Sequence, residues 1–344
     1  MTGSSPYRIV MRCDGDNRLG MGHVMECLWL SQALEATGAC HTRFLTPSAT
    51  PGSRVLLDHG CDVVQFEQHE LHALHALADG WQPEAIVASL FDRDAEHYRQ
   101  LQHMVPTLIA VFDDGRARGQ LSSYLVDYCV EQEIAASDRQ ARGPHFALLD
   151  PALANYPEPS IPEIGRRIFV NQGGSDPFSL TLDILQAISG VRPHCDVFVV
   201  LGPAVKPQLA AQVDALRAEL PYCCEIEHAV APQRMYELAA SCDLAVTAAG
   251  NTLYELCTLG IPSIVVCHHE RHARVAKAFH ERGAAVSLGL GRQLDPTVLT
   301  QAISRLLTGP EERQQLSANA RRLVDGRGCQ RVAEQIIAWL QDGD

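Results

Sequence analysis

No apolar run in this sequence approaches the roughly 20 residues that a bilayer-spanning helix needs. The opening segment, Met1–Pro6, is short and polar, and Arg8 and Arg12 break the apolar stretch behind it. The layout of a secretory signal is absent, which predicts a cytoplasmic protein without stable membrane insertion. Positive charge is scarce as well: 28 Lys and Arg stand against 41 Asp and Glu, a net charge of -13 at pH 7. A nucleic-acid backbone asks for clustered cations, so no nucleic-acid partner is expected. A small anion can still be held by backbone N–H groups, so a nucleotide ligand stays open. There are 12 cysteines but no C-x-x-C pair, and they are scattered through apolar segments. They read as reduced, mostly buried small hydrophobes.

What is present is an alternation of short apolar runs with helical patterns along 344 residues, 46% hydrophobic and 20% charged. Strands are expected at Arg8–Cys13, Thr42–Leu45, Asp62–Phe66, Ala85–Phe91 and Thr107–Phe112, with helices at Gly22–Thr37 and Ser53–His59. A second series has strands at Arg167–Val170, Asp196–Leu201, Asp243–Thr247 and Ser263–Cys267. Its helices fall at Ser179–Ser189, Lys206–Leu220, Thr252–Leu259 and Ala273–Arg282, and further helices close the chain. Such alternation predicts an α/β protein with parallel, doubly wound sheets. Between the series, Asp150–Gly165 has four prolines in sixteen residues and no helical period, the composition of a linker. The expected organisation is a first Rossmann-like domain over 1–150 and a linker over 151–165. A second such domain follows over 166–327, and a closing helix over 328–344. The two sheets are expected to face each other across a cleft. The last helix carries an apolar face (Val332, Ile336, Trp339, Leu340), suited to packing on the first domain or to a dimer surface.

Open α/β sheets bind ligands where strands run into helices, so the turns carry the functional reading. After the first strand come Asp14, Gly20, Gly22 and His23. The glycines permit a tight turn and close approach of the backbone. His23 falls in the first turn of a helix, whose dipole favours the neutral imidazole that a general base needs; a solvent-exposed histidine at a helix start is the plainer alternative. In the second domain, Gly173, Gly174, Ser175 and Asp176 follow a strand and suit either a phosphate-wrapping loop or an ordinary turn. G-x-G-x-x-G is absent, so this is no dinucleotide fingerprint. Gly250, Asn251 and Thr252 open a helix whose free N–H groups suit a diphosphate, with Glu255 one turn on to accept ribose hydroxyls. The competing reading is a capping box, Thr252-x-x-Glu255, which needs no ligand. His268, His269 and His272 fall one residue short of H-E-x-x-H, so no metal is expected. A strand-to-helix turn is the reading there. Asp113 and Asp114 end another strand as a helix cap, a metal pair or substrate contacts.

Taken in order, these residues resemble a known family. Arg12-x-Asp14, Gly20-Met21-Gly22-His23-Val24-Met25-x-Cys27-Leu28, Phe112-Asp113-Asp114, Gly143–Leu149, Gly173–Pro177 and Gly250–Pro262 are similar to the motifs of the UDP-2,4-diacetamido-2,4,6-trideoxy-β-L-altropyranose hydrolases of pseudaminic acid biosynthesis. Their wider relatives are the MurG-like GT-B glycosyltransferases. The resemblance spans roughly Arg8 to Gly283. It implies UDP held by the second domain, Gly250, Asn251 and Thr252 at the diphosphate, and Glu255 at the ribose. Gly173, Gly174, Ser175 and His272 would add nucleotide contacts, while Arg12, Asp14, Gly20, Gly22, Asp113 and Asp114 would line the sugar side. His23 would be the base that activates water against the anomeric carbon, with inversion and without metal or cofactor. This chain departs from the family's pattern. Glu26 stands where the family has Arg, Ser89-Leu90-Phe91 where it has Asp-x-Tyr, Leu149-Asp150 where it has x-Arg, and Arg271-His272 where it has Asn-Gln. A retained nucleotide site with an altered sugar or acceptor follows. The leading expectation is a UDP-sugar hydrolase; the alternatives are a UDP-sugar-dependent glycosyltransferase and a non-catalytic nucleotide-sugar-binding protein.

Overall fold

The structure is a computed structural model that describes residues 5–16, 20–90, 93–111, 121–129 and 138–342. The chain divides into two compact units, Met1–Pro151 with Arg327–Asp344, and Ala152–Gly326. The first unit contains β1 (Tyr7–Cys13), α1 (Gly22–Ala36), β2 (Cys40–Pro47), α2 (Pro51–Asp58), β3 (Val63–Phe66) and α3 (Glu70–Trp81). It goes on with β4 (Ala85–Ser89), α4 (Ala95–Gln102), β5 (Thr107–Val111), β6 (Tyr124–Asp127) and β7 (Gln140–Arg142). The second unit contains β8 (Arg167–Asn171), α5 (Leu180–Ile188), β9 (Asp196–Leu201), α6 (Pro207–Arg217), β10 (Cys224–His228), α7 (Pro232–Ala240) and β11 (Leu244–Thr247). After these come α8 (Asn251–Leu259), β12 (Ser263–Cys267), α9 (Glu270–Glu281), β13 (Val286–Leu290), α10 (Pro296–Thr308) and α11 (Pro310–Leu323). The last helix, α12 (Gly328–Asp342), belongs to the first unit.

Both sheets are wholly parallel in their described pairings. The seven-stranded one runs β3-β2-β1-β4-β5-β6-β7 and the six-stranded one β10-β9-β8-β11-β12-β13. The order follows from burial. Central strands such as Arg8–Cys13 and Thr107–Val111 carry near-continuous apolar runs, and Ile9, Val10, Met11, Leu108, Ile109 and Val111 are fully buried. Strands buried on both faces need helices on both sides, which parallel crossovers supply. The order reverses between β1 and β4 in one sheet and between β8 and β11 in the other. These switch points are where ligands bind in open α/β sheets.

Several elements lie outside the sequence expectation. The helix expected at Ala273 starts at Glu270, so His272 sits in a helical first turn and not in the preceding loop. The strand expected to reach Phe91 ends at Ser89. Four strands (β6, β7, β10, β13) and three helices (α3, α4, α7) are additional. β10, Cys-Glu-Ile-Glu-His, is a sheet edge with exposed Glu225, and charges in alternation hide its apolar face. In α4 only Tyr98 and Leu101 are buried, too few to mark a helical stripe.

Helix α1 buries residues all round: Val24, Cys27, Leu28, Trp29, Leu30 and Leu34, and with them Glu26. A helix apolar on every side is covered on every side, and α12 provides part of the cover with Cys329, Val332, Ala333, Ile336, Trp339 and Leu340. Trp339 stacks on Tyr124 at 4.3 Å between ring centroids and donates its indole N–H to the Asp138 carbonyl at 2.8 Å. All 12 cysteines are free thiols. Among the described residues no helix is long and apolar enough to cross a membrane.

Candidate functional site

In the first unit β1 ends at Cys13, and beyond it the Gly20 N–H donates to the Asp16 carbonyl at 2.8 Å. Gly20 has a φ of 80°, the left-handed region that a side chain resists. His23 stands in the first turn of α1, beside the β1–β4 switch point. His23 is mostly buried, its side chain 17% exposed. Its Nδ1 lies 2.8 Å from the Ser89 hydroxyl at the end of β4. Ser89 donates to Glu26 Oε2 at 3.3 Å, and the Tyr128 hydroxyl donates to Glu26 Oε1 at 2.8 Å. His23 is therefore held against the end of β4 and is not a solvent-exposed histidine.

Arg12 and Asp14 are placed differently from His23. Arg12 is fully buried. It donates to both Glu70 oxygens at 2.6 and 2.9 Å and to Asp14 at 2.6 Å. Asp14 also accepts from Arg93 at 3.0 Å, and the Arg12 guanidinium lies over the Phe66 ring. Although burial opposes it, hydrogen bonding to Arg12 and His97 holds the Glu70 carboxyl well below the usual range. A buried cation with two carboxylates in such geometry anchors the strand end. Asp113 and Asp114 lie outside the described residues.

In the second unit the Gly173 N–H bonds Asn171 Oδ1 at 3.0 Å, and the Ala204 N–H bonds the Gly174 carbonyl at 2.8 Å. A Cβ on Gly202 would meet backbone atoms of Gly173 and Gly174, so the Gly173–Ser175 turn is packed directly on the end of β9. Asp176 is buried and accepts from the Leu180 and Thr181 N–H groups at 2.8 and 3.0 Å, capping α5. Gly174 and Ser175 stand exposed.

Helix α8 begins at Asn251 with Gly250 as its N-cap and no side-chain cap. The Thr252–Glu255 capping box is thus not formed. Instead Glu255 accepts from the Tyr236 hydroxyl at 3.3 Å. Around the same strand ends, buried polar atoms have no hydrogen-bond partner among the described residues: both amide atoms of Gln172, the Thr247 hydroxyl, His268 Nδ1 and His272 Nδ1. Gln172 follows β8, Thr247 ends β11, and His268 follows β12. An unmet buried polar group costs about 1–3 kcal/mol, so a cluster of them at a switch point is the signature of a ligand site. His268 Nε2 faces the Gln172 carbonyl at 3.0 Å; it donates there, leaving its lone pair on Nδ1. Burial, with His269, His268 and Arg271 nearby, pulls His272 down to about 4. His272 therefore offers a neutral hydrogen-bonding group near pH 7. Among the described residues no group of three or more His, Cys, Asp or Glu is placed to hold a metal. Gln172 and Thr247 were not singled out from the sequence, and His268 was read only as part of a strand-to-helix turn, because a strand-end polar residue looks like any other until its burial is known.

No protein-family model matches the chain. It is 27% identical over 342 residues to the spore coat polysaccharide biosynthesis protein SpsG of Bacillus subtilis (strain 168), covering 96% of each protein. The solved structure of Acinetobacter baumannii MurG matches with a TM-score of 0.73 at 14% identity, over 97% of this chain and 100% of that one. The glycosyltransferase VinC in complex with DTDP matches with a TM-score of 0.66 at 14% identity, over 97% and 100%. At such identities the structural likeness is one of fold: this chain has the GT-B-like fold, two Rossmann-like halves each built on an all-parallel sheet.

Proposed function

We propose that the protein is an enzyme that breaks the anomeric C–O bond of a UDP-sugar, releasing UDP, with His23 as the general base. The observation that carries this reading is the second unit's switch point. There a helix N-terminus without a side-chain cap stands with buried polar groups that have no partner among the described residues. That combination suits a diphosphate and ribose: N–H groups for the anion, Gln172, Thr247 and neutral histidines for oxygens, and Glu255 for ribose hydroxyls. Gly174 and Ser175, both exposed, add backbone N–H groups beside them.

The chemistry asks little more of the protein. The nucleophile's O–H gives its proton to His23, its oxygen bonds to the anomeric carbon, and the bond to the diphosphate oxygen breaks with that oxygen keeping the electron pair. UDP is a good leaving group once N–H dipoles stabilise its charge, so positioning and one base suffice. In the first reading water is the nucleophile and the enzyme is an inverting hydrolase of a UDP-amino-sugar of the pseudaminic type or a variant of it. The second reading has an acceptor hydroxyl in place of water. It draws support from the fold shared with MurG and VinC and from the polysaccharide role in the name of the Bacillus subtilis relative.

The test is UDP release from a panel of UDP-amino-sugars without acceptor, by wild type and His23→Ala. Release by wild type, with a loss of roughly 10²–10⁴ in the mutant, is the expected result. Binding of UDP without release sends the assay to candidate acceptors and the transferase reading. Absence of UDP binding sinks the proposal.

A further inference from the structure

Glu26 is an unusual occupant of α1: a carboxylate only 3% exposed, on a helix whose other buried side chains are apolar but for Ser31. Such a group is retained only if its lone pairs are met. Glu26 is met by two hydroxyls, Tyr128 at 2.8 Å and Ser89 at 3.3 Å, from β4 and from the segment after β6. An ionised carboxylate accepts and cannot donate. The single hydrogen of Ser89 is therefore directed to Glu26, and the Ser89 oxygen turns a lone pair to His23 Nδ1, 2.8 Å away. For that contact to be a hydrogen bond, Nδ1 must carry the imidazole proton. The neutral ring then has its basic lone pair on Nε2. Glu26 Oε2 is also 3.8 Å from Nδ1. Glu26 and Ser89 are two of the positions at which this chain departs from the family it resembles, and they are in contact with each other and with His23.

We propose that Glu26, acting through Ser89, is a positioning residue that fixes His23 as the Nδ1–H tautomer and so directs Nε2 toward the proton to be removed. This rests on the reading of His23 as the base for its catalytic consequence, but the tautomer itself can be observed without turnover. In Glu26→Gln the amide can donate to Ser89, which frees the serine hydrogen to point at Nδ1 and reverses the relay. Ser89→Ala removes the middle member and leaves Nδ1 without its acceptor there.

The experiment combines two readouts. In ¹⁵N-histidine-labelled protein, with His23 assigned by its loss in His23→Ala, wild type should show a protonated Nδ1 and an unprotonated Nε2 near neutral pH. Glu26→Gln and Ser89→Ala should show a mixed or reversed pattern. In the UDP-release assay, both variants should lose roughly 10–10²-fold in kcat, within or just below the range for a lost general base, with KM nearly unchanged. A wild-type ring protonated at Nε2 overturns the relay, as does a ¹⁵N pattern that neither substitution changes. Should Glu26→Gln fail to fold, the wild-type ring and Ser89→Ala still decide. Normal UDP release by His23→Ala would remove the base reading while leaving the tautomer result standing. An inactive His23→Ala with an unchanged ¹⁵N pattern in the other two variants would remove the relay alone.

Discussion

Thr247 is fully buried at the end of β11, and its hydroxyl has no partner among the described residues. Valine has nearly its shape without the oxygen. Thr247→Val should therefore raise stability by about 1 kcal/mol, read as a higher midpoint in denaturant, while weakening UDP binding. A variant less stable than wild type would mean that the hydroxyl is satisfied in the folded chain. At this scale the sequence was legible where residue type and position coincide with a turn, as at His23 and Gly250. It was not legible for Arg12. Read as a possible sugar contact, Arg12 lies fully buried between Glu70, fifty-eight residues away, and Asp14. Distance along the chain conceals that partnership, since Glu70 belongs to a helix with no strong sequence signature.

Among the elements, α8 decides most. The pattern allowed either a capping box or a ligand-binding terminus, and the two differ by two residues in where the helix begins. With Gly250 as N-cap, Thr252 lies inside the first turn and cannot cap. A Cβ at Gly250 would meet no atom of the described residues within 4 Å, and its φ of -98° is open to any residue. Gly250→Ala should thus cost less than about 1 kcal/mol of stability, from the poorer N-cap alone. Its methyl group would nevertheless occupy space that a diphosphate needs to reach the first-turn N–H groups. UDP affinity should fall by at least about tenfold, or 1.4 kcal/mol, in a calorimetric titration. Unchanged affinity would remove Gly250 from the phosphate site.

For the molecule as a whole, the last helix shows how a distant segment completes a core. α12 belongs to the unit that begins the chain, and Trp339 stacks on Tyr124 there. All three tryptophans, Trp29, Trp81 and Trp339, lie in this unit. The fluorescence of the remaining two therefore reports its unfolding in Trp339→Ala. The substitution removes a buried ring and the Asp138 hydrogen bond, and should destabilise that transition by roughly 3–5 kcal/mol. A transition unmoved by the change would mean that α12 adds little to the unit.

The sequence by itself determined the fold class and the central strands. Apolar runs such as Arg8–Cys13 and Ser263–Cys267 must be buried on both faces, and their alternation with helices leaves parallel sheets as the economical solution. It also located the strand-to-helix turns, because glycines and a histidine at those turns are visible in one dimension. Edge strands such as β10 were not legible, since half of their residues face water and their apolar period is short. Only the tertiary structure decided which polar groups meet. Ser89 and Glu26 are sixty-three residues apart yet share a hydrogen bond beside His23, and Gln172, Thr247 and His268 reach the ends of neighbouring strands. Strand order brings such residues together, and strand order is set by the packing of whole faces rather than by any local pattern.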